Sequence, residues 1–179
     1  MDCKYVRESS CLTFCFHPHS SSLFYLTNTK NRLRIIEENL YTGLVVNELA
    51  VPLREQNLNV DNYIINYSLE GKHIVLTLSN HILIFSLEFK SLLFIGEAYH
   101  SKSPCFIERA VINKNMVYFS ATDHHQLFSL SIKDCVQSNT MPAFSRFKLP
   151  PEVLSICHSV SNSRLVAICS DNNLRVWDI

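Results

Sequence analysis

Short apolar runs separated by polar turn residues dominate the chain. Stretches rich in Val, Ile, Leu, Phe and Tyr are broken by clusters of Asn, Asp, Ser, Gly and Lys, and helical spacing of apolar residues is scarce. This pattern predicts strands at Leu12–Phe16, Leu23–Thr27, Leu33–Glu37 and Leu44–Leu49, then at Tyr63–Tyr67, His73–Leu78, Ile82–Leu87 and Ser91–Gly96. It continues with Ile107–Ile112, Met116–Ala121, Gln126–Ile132 and Phe144–Lys148, and ends with Val153–Ser159, Arg164–Cys169 and Leu174–Ile179.

The strands fall into a larger repeat. In each unit a polar turn leads into an apolar third strand, as in Lys30-Asn31-Arg32-Leu33-Arg34-Ile35-Ile36 and Ser79-Asn80-His81-Ile82-Leu83-Ile84-Phe85. The same step recurs in His124-His125-Gln126-Leu127-Phe128-Ser129-Leu130 and in Asn172-Asn173-Leu174-Arg175-Val176-Trp177. Aligned large apolar residues are Ile36, Phe85, Leu130 and Trp177, at intervals of 49, 45 and 47 residues. A period in the forties with four strands per unit is the mark of propeller blades. A sandwich needs turn signals but not this longer period. The expected fold is therefore all-β, a WD40-like β-propeller with about four blades at 11–50, 60–98, 105–149 and 152–179. Four blades are the small end of that class, so the chain reads as part of a larger propeller, with Asp2–Glu8 as a candidate closing strand.

The last unit reads as a degenerate WD repeat. Asp171 falls in the tight turn between the second and third strands, where a short carboxylate can accept backbone N–H groups. Trp177-Asp178 closes the third strand, and the indole offers a large apolar body to pack between blades. The other three units lack the Trp-Asp pair.

Composition narrows the chemistry. The 47% apolar and 18% charged content of this 179-residue chain describes a folded domain with a sizeable core. Lys+Arg and Asp+Glu both number 16, so no excess of positive charge points to nucleic acid or an anionic membrane. The three glycines, Gly43, Gly71 and Gly96, are too dispersed for a phosphate-binding loop. Seven cysteines, an odd number without a CxxC pair, suit reduced thiols, and Cys15, Cys157 and Cys169 lie in apolar runs. No apolar run is long enough to span a membrane, and the expectation is a soluble intracellular protein.

Three clusters could carry chemistry. Cys11, Cys15, His17 and His19 form C-x3-C-x-H-x-H on one face of an extended strand, but same-face residues there lie about 6–7 Å apart and cannot converge on one ion. Asp123, His124 and His125 stand near Ser120, yet adjacent strand residues point to opposite faces and triads are defined in space. Glu37 and Glu38 read as solvated residues of a turn, and Arg32 and Arg34 as the exposed face of an outer strand. A propeller hydrolase would need two convergent carboxylates in a polar pocket.

In the order of its motifs the chain resembles the N-terminal β-propeller of the one-hundred-and-sixty-kilodalton nucleoporin family, a scaffold of the Y-shaped outer-ring complex of the nuclear pore. The resemblance is carried by Leu33-Arg34-Ile35-Ile36-Glu37-Glu38-Asn39-Leu40, Asn47-Glu48-Leu49-Ala50-Val51-Pro52-Leu53 and the stretch from Ser68 to Phe85. It continues through Ser103-Pro104-Cys105, Leu154-Ser155-Ile156-Cys157-His158 and Ala167-Ile168-Cys169-Ser170-Asp171-Asn172-Asn173-Leu174-Arg175-Val176-Trp177, over about residues 12–179. Family members have more blades followed by a helical solenoid, so the resemblance implies that these 179 residues correspond to part of the propeller. The resemblance implies a structural protein at the nuclear envelope that supports transport of protein and mRNA. Its partners would be other scaffold nucleoporins of the outer-ring complex. No catalytic, cofactor-binding or metal residues are implied, and neither a cofactor, a small-molecule substrate nor direct nucleic-acid contact. The other reading is a WD-repeat interaction module of a different nuclear or cytoplasmic assembly, in ribosome biogenesis or as a ubiquitin-ligase adaptor.

Overall fold

The computed structural model describes residues 11–17, 20–30, 32–52, 63–68, 73–88, 90–100, 103–121, 126–142, 145–146, 153–159, 164–169 and 171–178. Its architecture is a row of antiparallel sheets, an all-β partial propeller. The first sheet joins β1 (Cys11–Phe16), β2 (Ser22–Thr29), β3 (Arg32–Asn39) and β4 (Val45–Ala50) in that order. The second joins β5 (Tyr63–Tyr67), β6 (His73–Leu78), β7 (His81–Ser86) and β8 (Ser91–Glu97). A small ribbon of β9 (Tyr99–His100) and β10 (Ser103–Pro104) leads to the third sheet, β11 (Ile107–Asn113), β12 (Met116–Ala121), β13 (Gln126–Ser131) and β14 (Ser145–Arg146). The fourth has three strands among the described residues, β15 (Val153–Ser159), β16 (Arg164–Cys169) and β17 (Leu174–Asp178).

These sheets are repeats in their irregularities as well as their order. The first strand pairs with the second through a one-residue register step near its start in sheets one, three and four, at Cys11/Thr13, Ile107/Arg109 and Val153/Ser155. Such bulges strengthen local twist, which suits blades that must fan out from one another. Hairpins between second and third strands are tight. Lys30 and Ser79 occupy left-handed backbone there, with φ of 52° and 53°. With so few glycines in the chain, residues bearing a Cβ take these positions at a steric cost.

Three apolar layers hold the row together. Between blades one and two, Phe24, Leu26, Leu33 and Ile35 meet Ile74, Leu76, Leu83 and Phe85. Between two and three, Val75, Ile82 and Ile84 meet Ile112, Val117, Phe119 and Phe128. Between three and four, Tyr118 and Leu127 meet Leu165, Ala167 and Cys169. The apolar run Ile82-Leu83-Ile84-Phe85 therefore serves two interfaces at once, since alternate strand residues face opposite sides. Each fully buried side chain of this kind contributes about 1.5–3 kcal/mol relative to exposure.

Several expectations are corrected. The strand expected through Ile132 stops at Ser131, and a short helix, α1 (Ile132–Ser138), follows. Ser131 caps it by accepting the Asp134 N–H at 3.2 Å, and Asn139 ends it in the left-handed region at φ 50°. Within the predicted Phe144–Lys148 strand, the described pairing is confined to Ser145–Arg146. Glu37 and Glu38 are buried members of β3 rather than turn residues. Arg32 and Arg34 lie on a third strand covered on its far edge by β4, and Arg34 forms an ion pair with Glu48 on that neighbour. The candidate closing segment Asp2–Glu8 lies outside the described residues.

Candidate interaction surface

The connection from β3 to β4 is a turn whose backbone is pinned from one side chain. Asn39 Oδ1 accepts the N–H groups of Tyr41 and Thr42, each at 3.0 Å, and the Thr42 hydroxyl at 3.3 Å. The Asn39 carbonyl accepts Gly43 N–H at 2.8 Å, and Asn39 N–H donates to Leu44 O at 2.9 Å. Leu40 N–H reaches back to Ser21 O at 2.8 Å, tying the turn to the opposite end of β2. Gly43 takes φ 67°, a conformation that glycine adopts without penalty. Asn is suited to this role because its short amide can satisfy N–H groups two and three residues ahead.

What the pinned turn displays is apolar. Tyr41 is 86% exposed, and Leu40, Leu44, Val45 and Val46 are exposed around it. A tyrosine on a rigid backbone supplies contact area with little conformational entropy to lose, the property that enriches it at binding hot spots. Among the described residues β4 is also the edge strand of its sheet. The patch is apolar, with no charged residue between Asn39 and Asn47.

The WD-like turn of blade four is built from the predicted residues. Asp171 Oδ1 accepts Asn173 N–H at 3.1 Å, and its carboxylate binds Arg175 through both guanidinium branches at 3.0 and 2.7 Å. These hydrogen bonds from Arg175 and Asn173 hold the Asp171 carboxyl well below the usual carboxylate range. Trp177 is half-buried and packs on the layer between blades three and four, pairing with Leu165 across the sheet. The carboxylate thus pins the turn within blade four, while the aromatic packs on the layer between blades three and four.

The other clusters do not gather into a site. Cys11 is exposed at the start of β1, whereas Cys15 packs against the layer between blades one and two, and burial pushes its thiol up to about 12. His17 lies beyond the strand and packs against Tyr67, with ring centroids 4.5 Å apart and planes tilted by 40°, and His19 is outside the described residues. Glu37 accepts from Asn47 Nδ2 on the face toward blade two, while Glu38 accepts the Tyr25 hydroxyl at 3.0 Å on the opposite face. Those two carboxylates point apart and cannot serve as a glycosidase pair. Ser120 is buried in β12, and Asp123, His124 and His125 lie outside the described residues. A shallow hollow beside α1 is lined by His73, Asn115, Ile132, Lys133, Val136 and Gln137, with no acidic side chain among them. Among the described residues no three His, Cys, Asp or Glu side chains group as a metal site, and no helix is long and apolar enough to cross a membrane.

The Asn39 turn was not singled out in the sequence. Its signal was nevertheless present as Asn39-Leu40-Tyr41-Thr42-Gly43, an Asn and a Gly spaced around apolar residues that a strand would have used differently.

Comparison with known proteins places the fold and no more. No protein-family model matches the chain, and no curated protein does. Solved structures do match. U3-55K superposes with a TM-score of 0.66 at 15% identity, over 98% of this chain and 50% of that one. The Cps50 (Swd1) β-propeller domain of Myceliophteria thermophila gives 0.67 at 13% identity, over 97% and 53%. The Dos1 propeller gives 0.64 at 11% identity, over 94% and 41%. The chain spans about half the length of the solved chains it matches, and it is an all-β, partial β-propeller.

Proposed function

We propose that this chain is a non-catalytic protein-interaction module that serves as a scaffold in the outer ring of the nuclear pore, supporting passage of protein and mRNA by holding neighbouring nucleoporins. The observation that carries the interaction role is the pinned apolar turn, where Tyr41 stands 86% exposed on backbone fixed by Asn39. The order of motifs, which resembles that of the one-hundred-and-sixty-kilodalton nucleoporin propeller, supports the choice of assembly. The mechanism is architectural. Rigid blades present an apolar anchor and a sheet edge to a neighbouring subunit, and no bond is made or broken.

Affinity purification of the tagged chain from its own cells tests this reading. Outer-ring scaffold subunits are expected in the eluate, and Tyr41→Ala should reduce their recovery by at least about tenfold, as loss of a buried aromatic anchor does. Recovery of an unrelated assembly would replace the nuclear-pore reading with the second one. That second reading, a WD-type module in ribosome biogenesis or a ubiquitin-ligase adaptor, is favoured by the Asp171 turn and the Trp177 joint of blade four.

A further inference from the structure

The connections that leave blades one to three at one end of their strands are linked to one another. Leu23 pairs with both Phe16 and Glu38, so the β1–β2 connection and the Asn39 turn emerge together. His17, in the first of these, packs on Tyr67 of blade two. Ser68, next to Tyr67, donates its hydroxyl to Lys114 O of blade three at 3.1 Å. Asn115 O in turn accepts the Ile132 N–H at 2.8 Å, which seats α1 at the same end. The exposed apolar residues around Tyr41 and the hollow beside α1 therefore share one end of the row. Blade one carries the first, and the seam between blades two and three carries the second.

The hollow is shaped for a side chain. Its volume of about 220 Å³ falls below the roughly 300–1,000 Å³ of small-molecule sites. Ile132, Lys133, Val136 and Gln137 stand on one face of α1, with Ile132 buried and Val136 half-buried. Asp134, the acidic residue of that helix, falls off this face and is not in the wall. His73 and Asn115 complete the lining, which offers apolar surface, an ammonium and amide N–H groups but no carboxylate. Among the described residues Lys133 has no ion-pair partner. A glutamate matches this combination, with a methylene stem for Ile132 and Val136 and a carboxylate for the Lys133 ammonium and the Gln137 amide.

We propose that the polypeptide docking on the Tyr41 turn also inserts a glutamate side chain into the hollow between blades two and three. This rests on the interaction role proposed above and specifies the partner's chemistry, an apolar contact and a glutamate on one chain. Charge complementarity selects that occupant, since the Asn39–Asn47 stretch is uncharged and the hollow holds a cation without an anion. Continuity selects a single partner, because the linked connections place both contacts on one end of the row.

The complex recovered on the tagged chain tests the proposal. Carbodiimide condenses an amine and a carboxylate in contact into an amide, with loss of water. It should join Lys133 Nζ to a partner glutamate, located by mass spectrometry of the digested complex. Lys133→Glu, an exposed position whose variant should fold by circular dichroism, is expected to lower recovery of that partner about tenfold or more, because like charges then meet. Lys133→Arg keeps the charge and should retain the partner. A Lys133 link confined to carboxylates of this chain overturns the proposal, and so does recovery indifferent to Lys133→Glu. If Tyr41→Ala still removes the partner in either case, the interaction role stands and the glutamate contact alone falls. Recovery indifferent to both variants overturns the two together.

Discussion

Blade two and blade four are built from strands of similar length, yet they solve different burial problems. In β6 and β7 of blade two every residue after the first is buried, and the sequence is nearly unbroken, Ile74-Val75-Leu76-Thr77-Leu78 and Ile82-Leu83-Ile84-Phe85. In β17 of blade four exposure alternates strictly along Leu174-Arg175-Val176-Trp177-Asp178. A sheet covered on both sides needs apolar residues at every position, whereas one covered on a single side needs them at every second position. The contrast locates the interior of the row and its end without reference to chain order.

The comparison makes graded predictions. Truncating Phe85, fully buried between blades one and two, should cost about 4 kcal/mol in urea denaturation, against about 1 kcal/mol or less for Val176→Ala. Equal losses would break the contrast between interior and end. Trp177→Ala should fall between them, at roughly 2 kcal/mol, because the indole fills a layer from one side only. The same unfolding experiment on Ser79→Gly should show a gain of about 1 kcal/mol, since the φ of 53° strains any residue with a Cβ. A loss there would place the hairpin strain elsewhere.

The smallest effect concerns acid. Asp171 has a folded value depressed by Arg175 and Asn173, so its contribution is complete above its unfolded pKa near 4 and is lost as pH falls below that. The stability deficit of Asp171→Asn should therefore be largest at neutral pH and shrink as pH falls below about 4. Stability measured from pH 7 down to 2 checks this. A constant difference across that range would mean that the carboxylate acts through shape alone.

The blades were legible in the sequence because their determinants are local. Turn residues, strand propensity and a period in the forties can all be read along a line, and even the role of Asp171 follows from its place two residues before Asn173. Helix α1 was missed since seven residues give fewer than two full turns of apolar spacing, although Ser131 and Asp134 already stood at capping distance. The burial of Glu37 and Glu38 was not legible for another reason. Its partners, Asn47 and Tyr25, come from different neighbouring strands, and only the register brings them within hydrogen-bonding reach. The exposed turn at Tyr41 escaped for the same reason in reverse, because its apolar residues look like strand until the Asn39 bonds fold them outward.

The ribbon between blades two and three has a mechanical consequence. Its ends are sewn to the Ser79–Asn80 hairpin by Ala98 N–H to Asn80 O and Ile107 N–H to Ser79 O, at 2.7 and 2.8 Å. Asn66 and Ser68 add bonds from blade two to the carbonyls of Ala110 and Lys114, at 3.0 and 3.1 Å. These two blades are therefore welded by directional bonds as well as by apolar contact, and will tilt as one body.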